Sequence, residues 1–173
     1  LSGPRQAGKT TLAKSLLKNT ENYFNWDYIP FRKKWLLHSE EVAQNLLEQR
    51  HPIIVLDEFH KNLKWKNQLK GFYDQHGRYI QIIVTGSAKL NTFRKGADSL
   101  IGRFLHFHLL PYSLGELIGK APFKFTDFIN FLQAPAKLAS NSEASEFAEN
   151  LMRFGGFPEP FEKQRDDFHQ IWK

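Results

Sequence analysis

The sequence contains no cysteine at all, and only one methionine in 173 residues. Disulfides and thiolate metal sites are therefore excluded, and the absence agrees with a reducing compartment, taken here as the cytoplasm. No apolar run approaches the length needed to cross a bilayer, so the chain is read as soluble, without a membrane partner. No signal-peptide pattern is present. The tetrapeptide N-K-x-D, by which GTPases commonly read guanine, does not occur. No internal repeat is present either.

What the sequence does hold is aromatic bulk and positive charge. Sixteen phenylalanines have to be buried somewhere, and the formal net charge is +6. A basic balance suits nucleotides, nucleic acid and acidic surfaces alike. The length fits one α/β domain with a smaller appendage.

The stretch GPRQAGKTTL begins at residue 3. Gly3, Pro4, Arg5, Gln6, Ala7, Gly8, Lys9 and Thr10 satisfy G-x-x-x-x-G-K-[ST], a phosphate-binding loop, and Thr11 extends it. Glycines at the fixed positions allow backbone torsions that side chains forbid, so successive N–H groups can face phosphate oxygens. Lys9 is long enough to reach the β- and γ-phosphates, and the Thr10 hydroxyl suits Mg²⁺. A helix is expected directly after the loop, with Leu12, Ala13, Leu16 and Leu17 on one face, and its dipole adds to the anion site. The competing reading is a glycine-containing turn that matches by accident.

Downstream, NYFNWDY (22–28) reads as an aromatic strand closed by Pro30, and 31–50 reads as mostly helical. IIVL (53–56) is a short apolar run, as expected of a strand covered on both faces. Trp65, Leu69, Phe72 and Tyr73 mark a helix ending near Gly77. YIQIIVT (79–85) is a further strand, a short helix is expected over 88–97, and RFLHFHLL (103–110) is a last strand stopped by Pro111. This alternation predicts a three-layer α/β fold with a mostly parallel sheet. Beyond Pro111 helical segments are expected at 113–119, 125–133, 143–154 and from 160. Ser140 and Glu143 suit a capping box, Gly155 a helix stop, and 134–145 a connector. The expected domains are 1–111, a P-loop ATPase core, and 112–173, a helical lid or the start of a C-terminal helical domain.

Asp57 and Glu58 end the IIVL strand, where open α/β sheets bind ligands. In that place Asp57 can support Mg²⁺ and Glu58 can activate a water; the bland reading is a solvated acidic pair. One helix and one strand later, Ser87 is favoured over Thr85 as a polar contact to the γ-phosphate, against an ordinary strand-to-helix cap. His60 lies close enough in sequence to touch such a site. His106 and His108 share one strand face and read as packed histidines rather than metal ligands. Lys61, Lys64, Lys66 and Lys70, with Arg32, Lys33 and Lys34, form either a solvated face or a nucleic-acid surface.

The segments GPRQAGKTTL, Asn25-Trp26-Asp27, VLDEFHK followed by Trp65, TGSAKL, LIGRFLHFHLLPYSLGEL and GGFPEP, in that order over residues 3–161, resemble the prokaryotic AAA-type ATPases of the AAA_14 group. The resemblance implies a P-loop NTPase, AAA+-like sheet of order 5-1-4-3-2, with ATP and Mg²⁺ as ligands. It implies a sensor role for Ser87 and a functional Arg103, an arginine that in AAA-type proteins contacts the γ-phosphate, often of a neighbouring subunit in a homo-oligomer. Arg94 is a weaker candidate. For Gly155–Pro158 it implies a lid element, where the residues alone read as a turn. It also implies a strand before Leu1, missing from this chain, and a further C-terminal domain. The expected catalytic set is Lys9, Glu58, Ser87 and Arg103, with Thr10 and Asp57 toward the metal. The expected function is ATP hydrolysis driving a conformational change; the alternative is a nucleotide-gated DNA- or protein-binding module with little turnover.

Overall fold

The computed structural model describes residues 1–87, 100, 102–119 and 142–165. The chain divides into two compact units, Leu1–Leu110 and Pro111–Lys173.

In the first unit the alternating pattern folds into parallel strands β1 (Tyr23–Asn25), β2 (Ile53–Asp57) and β3 (Gln81–Val84) in the order β1-β2-β3. Helix α1 (Lys9–Ser15) precedes β1, α2 (Ile29–Leu47) links β1 to β2, and α3 (Trp65–His76) links β2 to β3. The central strand is covered on both faces, and Ile54, Val55 and Leu56 are fully buried. That is why its sequence runs apolar without alternation. Register sets Asn25 beside Asp57 and Leu56 beside Val84, so the three strands end at one edge.

Aromatic rings fill the layer between the sheet and α2–α3. The Trp35 ring lies 5.1 Å from Phe59 and 5.0 Å from Phe72, and Trp26 meets Phe59 edge-on at 5.2 Å. The buried indole of Trp35 donates to Gln68 Oε1 at 3.2 Å, which satisfies its only polar atom. Much of the phenylalanine and tryptophan that had to be buried is placed here.

Several expected boundaries shift. The first strand covers only Tyr23–Asn25, and Pro30 sits in the first turn of α2 rather than closing the strand. A helix tolerates proline there because the first N–H groups have no partner inside the helix. Helix α2 bends at His38, whose torsions (φ −141°, ψ 40°) are not helical. Helix α1 ends at Ser15; its buried residues are Lys9 and Ala13, while Leu12 and Leu16 are exposed. The expected apolar face is thus confined to its small residue.

Of the strand expected at 103–110, the described pairing is a parallel bridge between Ser2 and His108. Ser2 N donates to Phe107 O at 2.9 Å, and Leu109 N donates to Ser2 O at 2.8 Å. On its other side, Leu1 N donates to Val84 O at 2.7 Å, and Leu1 O accepts from Gly86 N at 3.2 Å. Leu1–Ser2 therefore lies between the end of β3 and residues 107–109. Two residues can pair only over that length.

The second unit contains α4 (Leu114–Leu117), α5 (Ser142–Phe154) and α6 (Pro158–Lys163). A capping box opens α4: Ser113 accepts from Glu116 N, and the Glu116 carboxylate accepts from Ser113 N at 2.9 Å. The box expected at Ser140 and Glu143 lies partly outside the described residues, as do the helices expected at 88–97 and 125–133, most of the 134–145 connector, and Arg94. Helix α5 stops at Gly155, whose left-handed φ of 76° accompanies an N–H bond to Leu151 O. Gly156 then abuts the main chain of Tyr112, whose N–H donates to Gly156 O at 2.6 Å. A Cβ at residue 156 would come within 2.5 Å of Tyr112 O. Gly155–Pro158 is thus a tight turn between α5 and α6. Among the described residues no helix is long and apolar enough to cross a membrane.

Candidate functional site

The loop from Gly3 to Gly8 connects Ser2 to the N-terminus of α1. Three of its residues have positive φ: Gly3 at 149°, Gln6 at 63° and Gly8 at 87°. Gly8 is the residue just before the helix, and its carbonyl accepts from Leu12 N at 2.8 Å. A side chain at Gly3 meets two penalties at once. Its torsion disfavours L residues, and a Cβ would lie 2.1 Å from Leu109 O. Gly3→Ala is expected to destabilise the chain by about 2–5 kcal/mol, the sum of torsional strain and overpacking, measured by urea unfolding.

Lys9 opens α1 and is only 7% exposed. Its ammonium donates to Pro4 O, across the loop. Burial lowers its pKa, while the Glu58 and Asp57 carboxylates oppose that shift. Thr10 is the next residue, and its hydroxyl donates to Asp57 Oδ2 at 3.0 Å. This bond joins the loop to the end of β2.

Asp57 is almost completely buried. A carboxylate in that position must be satisfied by donors. Tyr23 OH donates to Oδ2 at 2.6 Å, and the fully buried Thr85 hydroxyl donates to Oδ1. Strand β1 and the residue after β3 thus each contribute a hydroxyl, and α1 contributes a third. The Tyr23 phenol has its pKa pushed up to about 12, by burial first and then by its bond to Asp57. The sign follows directly. Below pH 10.0 the phenol is neutral in both folded and unfolded chains; from pH 10.0 to about 12 only the unfolded chain ionises, so stability falls as pH rises through that window. Tyr23→Phe is expected to flatten this alkaline loss, as read by unfolding measurements at a series of pH values.

Glu58, the residue after β2, has a left-handed φ of 54° and leads into a 3-10 turn, Phe59–Lys61. Its Oε2 lies 3.2 Å from Lys61 Nζ and 3.9 Å from His60 Nε2. Lys61 also meets Asp27 Oδ2 at 2.5 Å, and its pKa is raised, chiefly by that hydrogen bond. His60 Nε2 lies 3.3 Å from Ser87 Oγ. The polar groups at the strand ends therefore form two rows. The inner row is Tyr23–Asp57–Thr85, with Thr10 joined to it. The outer row is Asp27–Lys61–Glu58–His60–Ser87.

A loop with three positive-φ residues, a lysine at the helix start and an acid pair at the adjoining strand end now stand together. The profile of the AAA domain family AAA_14 matches residues 1–118, which include all of them. The chain belongs to the AAA domain family. The search for similar curated proteins returned no match. Membership of the AAA family points to nucleotide binding as the general function of this site.

Within this AAA domain, Lys9, Thr10, Asp57, Glu58 and Ser87 are brought to one edge of the sheet, directly or through His60. Arg103 is held elsewhere: its Nε donates to Asp74 Oδ1 at 2.8 Å. Asp74 lies near the end of α3 that leads into the start of β3, whereas the loop lies where the strands end. His106 Nε2 and His108 Nδ1 both meet the buried Ser2 hydroxyl, at 2.7 and 2.8 Å. Burial lowers the pKa of His106. Among the described residues no cluster of three His, Cys, Asp or Glu side chains is placed to hold a metal. The Asp57 carboxylate and Thr10 hydroxyl remain the oxygen pair suited to Mg²⁺.

Sequence reasoning passed over Thr85 in favour of Ser87, and missed Tyr23, Asp27 and Lys61 as parts of the site. One signal for Tyr23 was available: it lies two residues before Asn25, so both project to one face of the strand. Lys61, counted toward a basic surface, instead joins Asp27 to Glu58.

Proposed function

We propose that this AAA domain binds ATP with Mg²⁺ across the loop Gly3–Thr10 and hydrolyses it. The observation that carries the reading is the Thr10–Asp57 hydrogen bond beside Lys9, which joins a loop built for phosphate to the acid pair at the end of β2. Thr10 and Asp57 supply hard oxygen donors of the kind Mg²⁺ takes, and the bound ion would offset charge on the phosphate oxygens. Main-chain N–H groups of the loop and the Lys9 ammonium hold the triphosphate. Glu58 orients a water and takes its proton as the water oxygen bonds to the γ-phosphorus and the bridging P–O bond breaks, releasing ADP. Ser87 stands beside the γ-phosphate in this reading, tied to Glu58 through His60.

The main-chain bonds of Leu1–Ser2 to Val84–Gly86 on one side and to 107–109 on the other support the order 5-1-4-3-2, with Leu1–Ser2 counted as strand 1. Residues 112–173 are proposed as the lid that hydrolysis shifts. Arg103 is ion-paired with Asp74 away from this chain's own loop, so in this reading its γ-phosphate contact is to the nucleotide of a neighbouring subunit. The test is ATP binding and phosphate release by the chain and by its Lys9→Ala and Glu58→Gln variants. Turnover unchanged in both would remove the assignment.

A further inference from the structure

We propose that Lys61, anchored by Asp27, is a positioning residue that holds Glu58 Oε2 and so presents Oε1 to the attacking water. The proposal rests on the ATPase reading given above and names a part of the machinery that the loop and acid pair do not include.

The geometry starts at the backbone. Glu58 turns left-handed at the end of β2, and Lys61 N donates to Glu58 O at 3.0 Å, closing one tight turn. Phe59, inside that turn, is fully buried and pins it to the core. The turn brings the Lys61 side chain back over Glu58. Lysine carries three donors and no preferred plane, so it needs a second acceptor to fix its place. Asp27 supplies that acceptor from the turn after β1, 2.5 Å away. Asp27 is itself fixed: its N–H donates to Asn25 Oδ1 at 2.7 Å, and Trp26 N continues the sheet pairing to Asp57 O at 2.9 Å. Lys61 thus bridges two carboxylates whose backbones are both held.

Such a half-exposed bridge contributes little stability, about 0–1 kcal/mol. Its effect is on orientation. Both described contacts of the Glu58 carboxylate, to Lys61 and to His60, fall on Oε2. A carboxylate held by one oxygen has its other oxygen directed before substrate arrives, and orientation of this kind is a large part of a general base's efficiency. The raised pKa of Lys61 agrees with a cation held between two acids.

The test uses the whole chain. Lys61→Met is expected to lower kcat for ATP by about tenfold to a hundredfold, with KM and nucleotide affinity within about twofold of the parent. Lys61→Arg is expected to recover most of that loss, and Asp27→Asn to fall between. A second readout needs no turnover: NMR titration of the Lys61 amine in the nucleotide-free chain. Glu58→Gln and Asp27→Asn are each expected to lower its pKa, Asp27→Asn more. If Glu58→Gln leaves the Lys61 titration unmoved, or Lys61→Met turns over like the parent while Glu58→Gln is inactive, the positioning role is overturned by itself. If Glu58→Gln hydrolyses ATP as fast as the parent, the ATPase reading falls and this proposal falls with it.

Discussion

Replacing Glu58 by glutamine is expected to lower ATP turnover by about 10²- to 10⁴-fold while leaving ATP binding intact. The side chain keeps its length and hydrogen-bonding shape but can no longer take a proton from water. Glutamine also tolerates the left-handed φ of 54° at this position about as well as glutamate does, so the turn into Phe59–Lys61 should survive. Glu58 lies beyond the loop, after the strand has ended, and no phosphate group depends on it for binding. Steady-state phosphate release and equilibrium ATP binding, measured on the same preparation, separate the two effects. Turnover near the parent value would show that another group activates the water. Loss of both binding and turnover would point to a collapsed turn instead.

Lys9→Ala should act at the earlier step, lowering ATP affinity by about a hundredfold or more. Charge-assisted hydrogen bonds contribute about 1.5–3 kcal/mol each, and in the proposed ATP-bound state Lys9 would serve two phosphates. The fold itself should tolerate the change. Lys9 is buried, and burial lowers its pKa, which means that the folded chain disfavours its charge. Removing the ammonium relieves that cost and loses one hydrogen bond to Pro4 O. The unfolding midpoint is therefore not expected to fall, and a nucleotide titration followed by calorimetry would read the affinity. A large drop in thermal stability would mean that Lys9 acts chiefly as a structural brace of the loop. Because the two substitutions fail at different steps, a chain that binds nucleotide but does not hydrolyse it would show the Lys9 effect without the Glu58 effect.

Much of this site was legible before folding was considered. Gly3, Gly8, Lys9 and Thr10 lie within one short segment whose spacing is dictated by main-chain geometry, and local constraints of that sort survive in linear sequence. Asp57 and Glu58 were legible for a related reason: a buried parallel strand announces itself as IIVL, and its end is where polar chemistry begins. Tyr23, Thr85 and Lys61 were not, because each acquires its role from a neighbour 28 to 34 positions away. Asp57 meets Thr85 and Tyr23 across two different strand pairs, and Lys61 reaches Asp27 over 34 positions. Arg103, given a role by the resemblance alone, meets Asp74 29 positions away, a pairing that no local pattern announces.

The linear order of residues by itself determined the glycine-bearing loop, the helix after it, the parallel α/β alternation and the acid pair, since each is encoded by torsional needs or burial periodicity within a few consecutive positions. Tertiary structure alone decided which hydroxyls satisfy Asp57, which cation holds Glu58, and what lies on either side of Leu1–Ser2. Those outcomes depend on strand register and helix docking. A shift of one residue in the pairing of Asn25 with Asp57 would turn Tyr23 to the other face of the sheet and leave the buried carboxylate short of a donor.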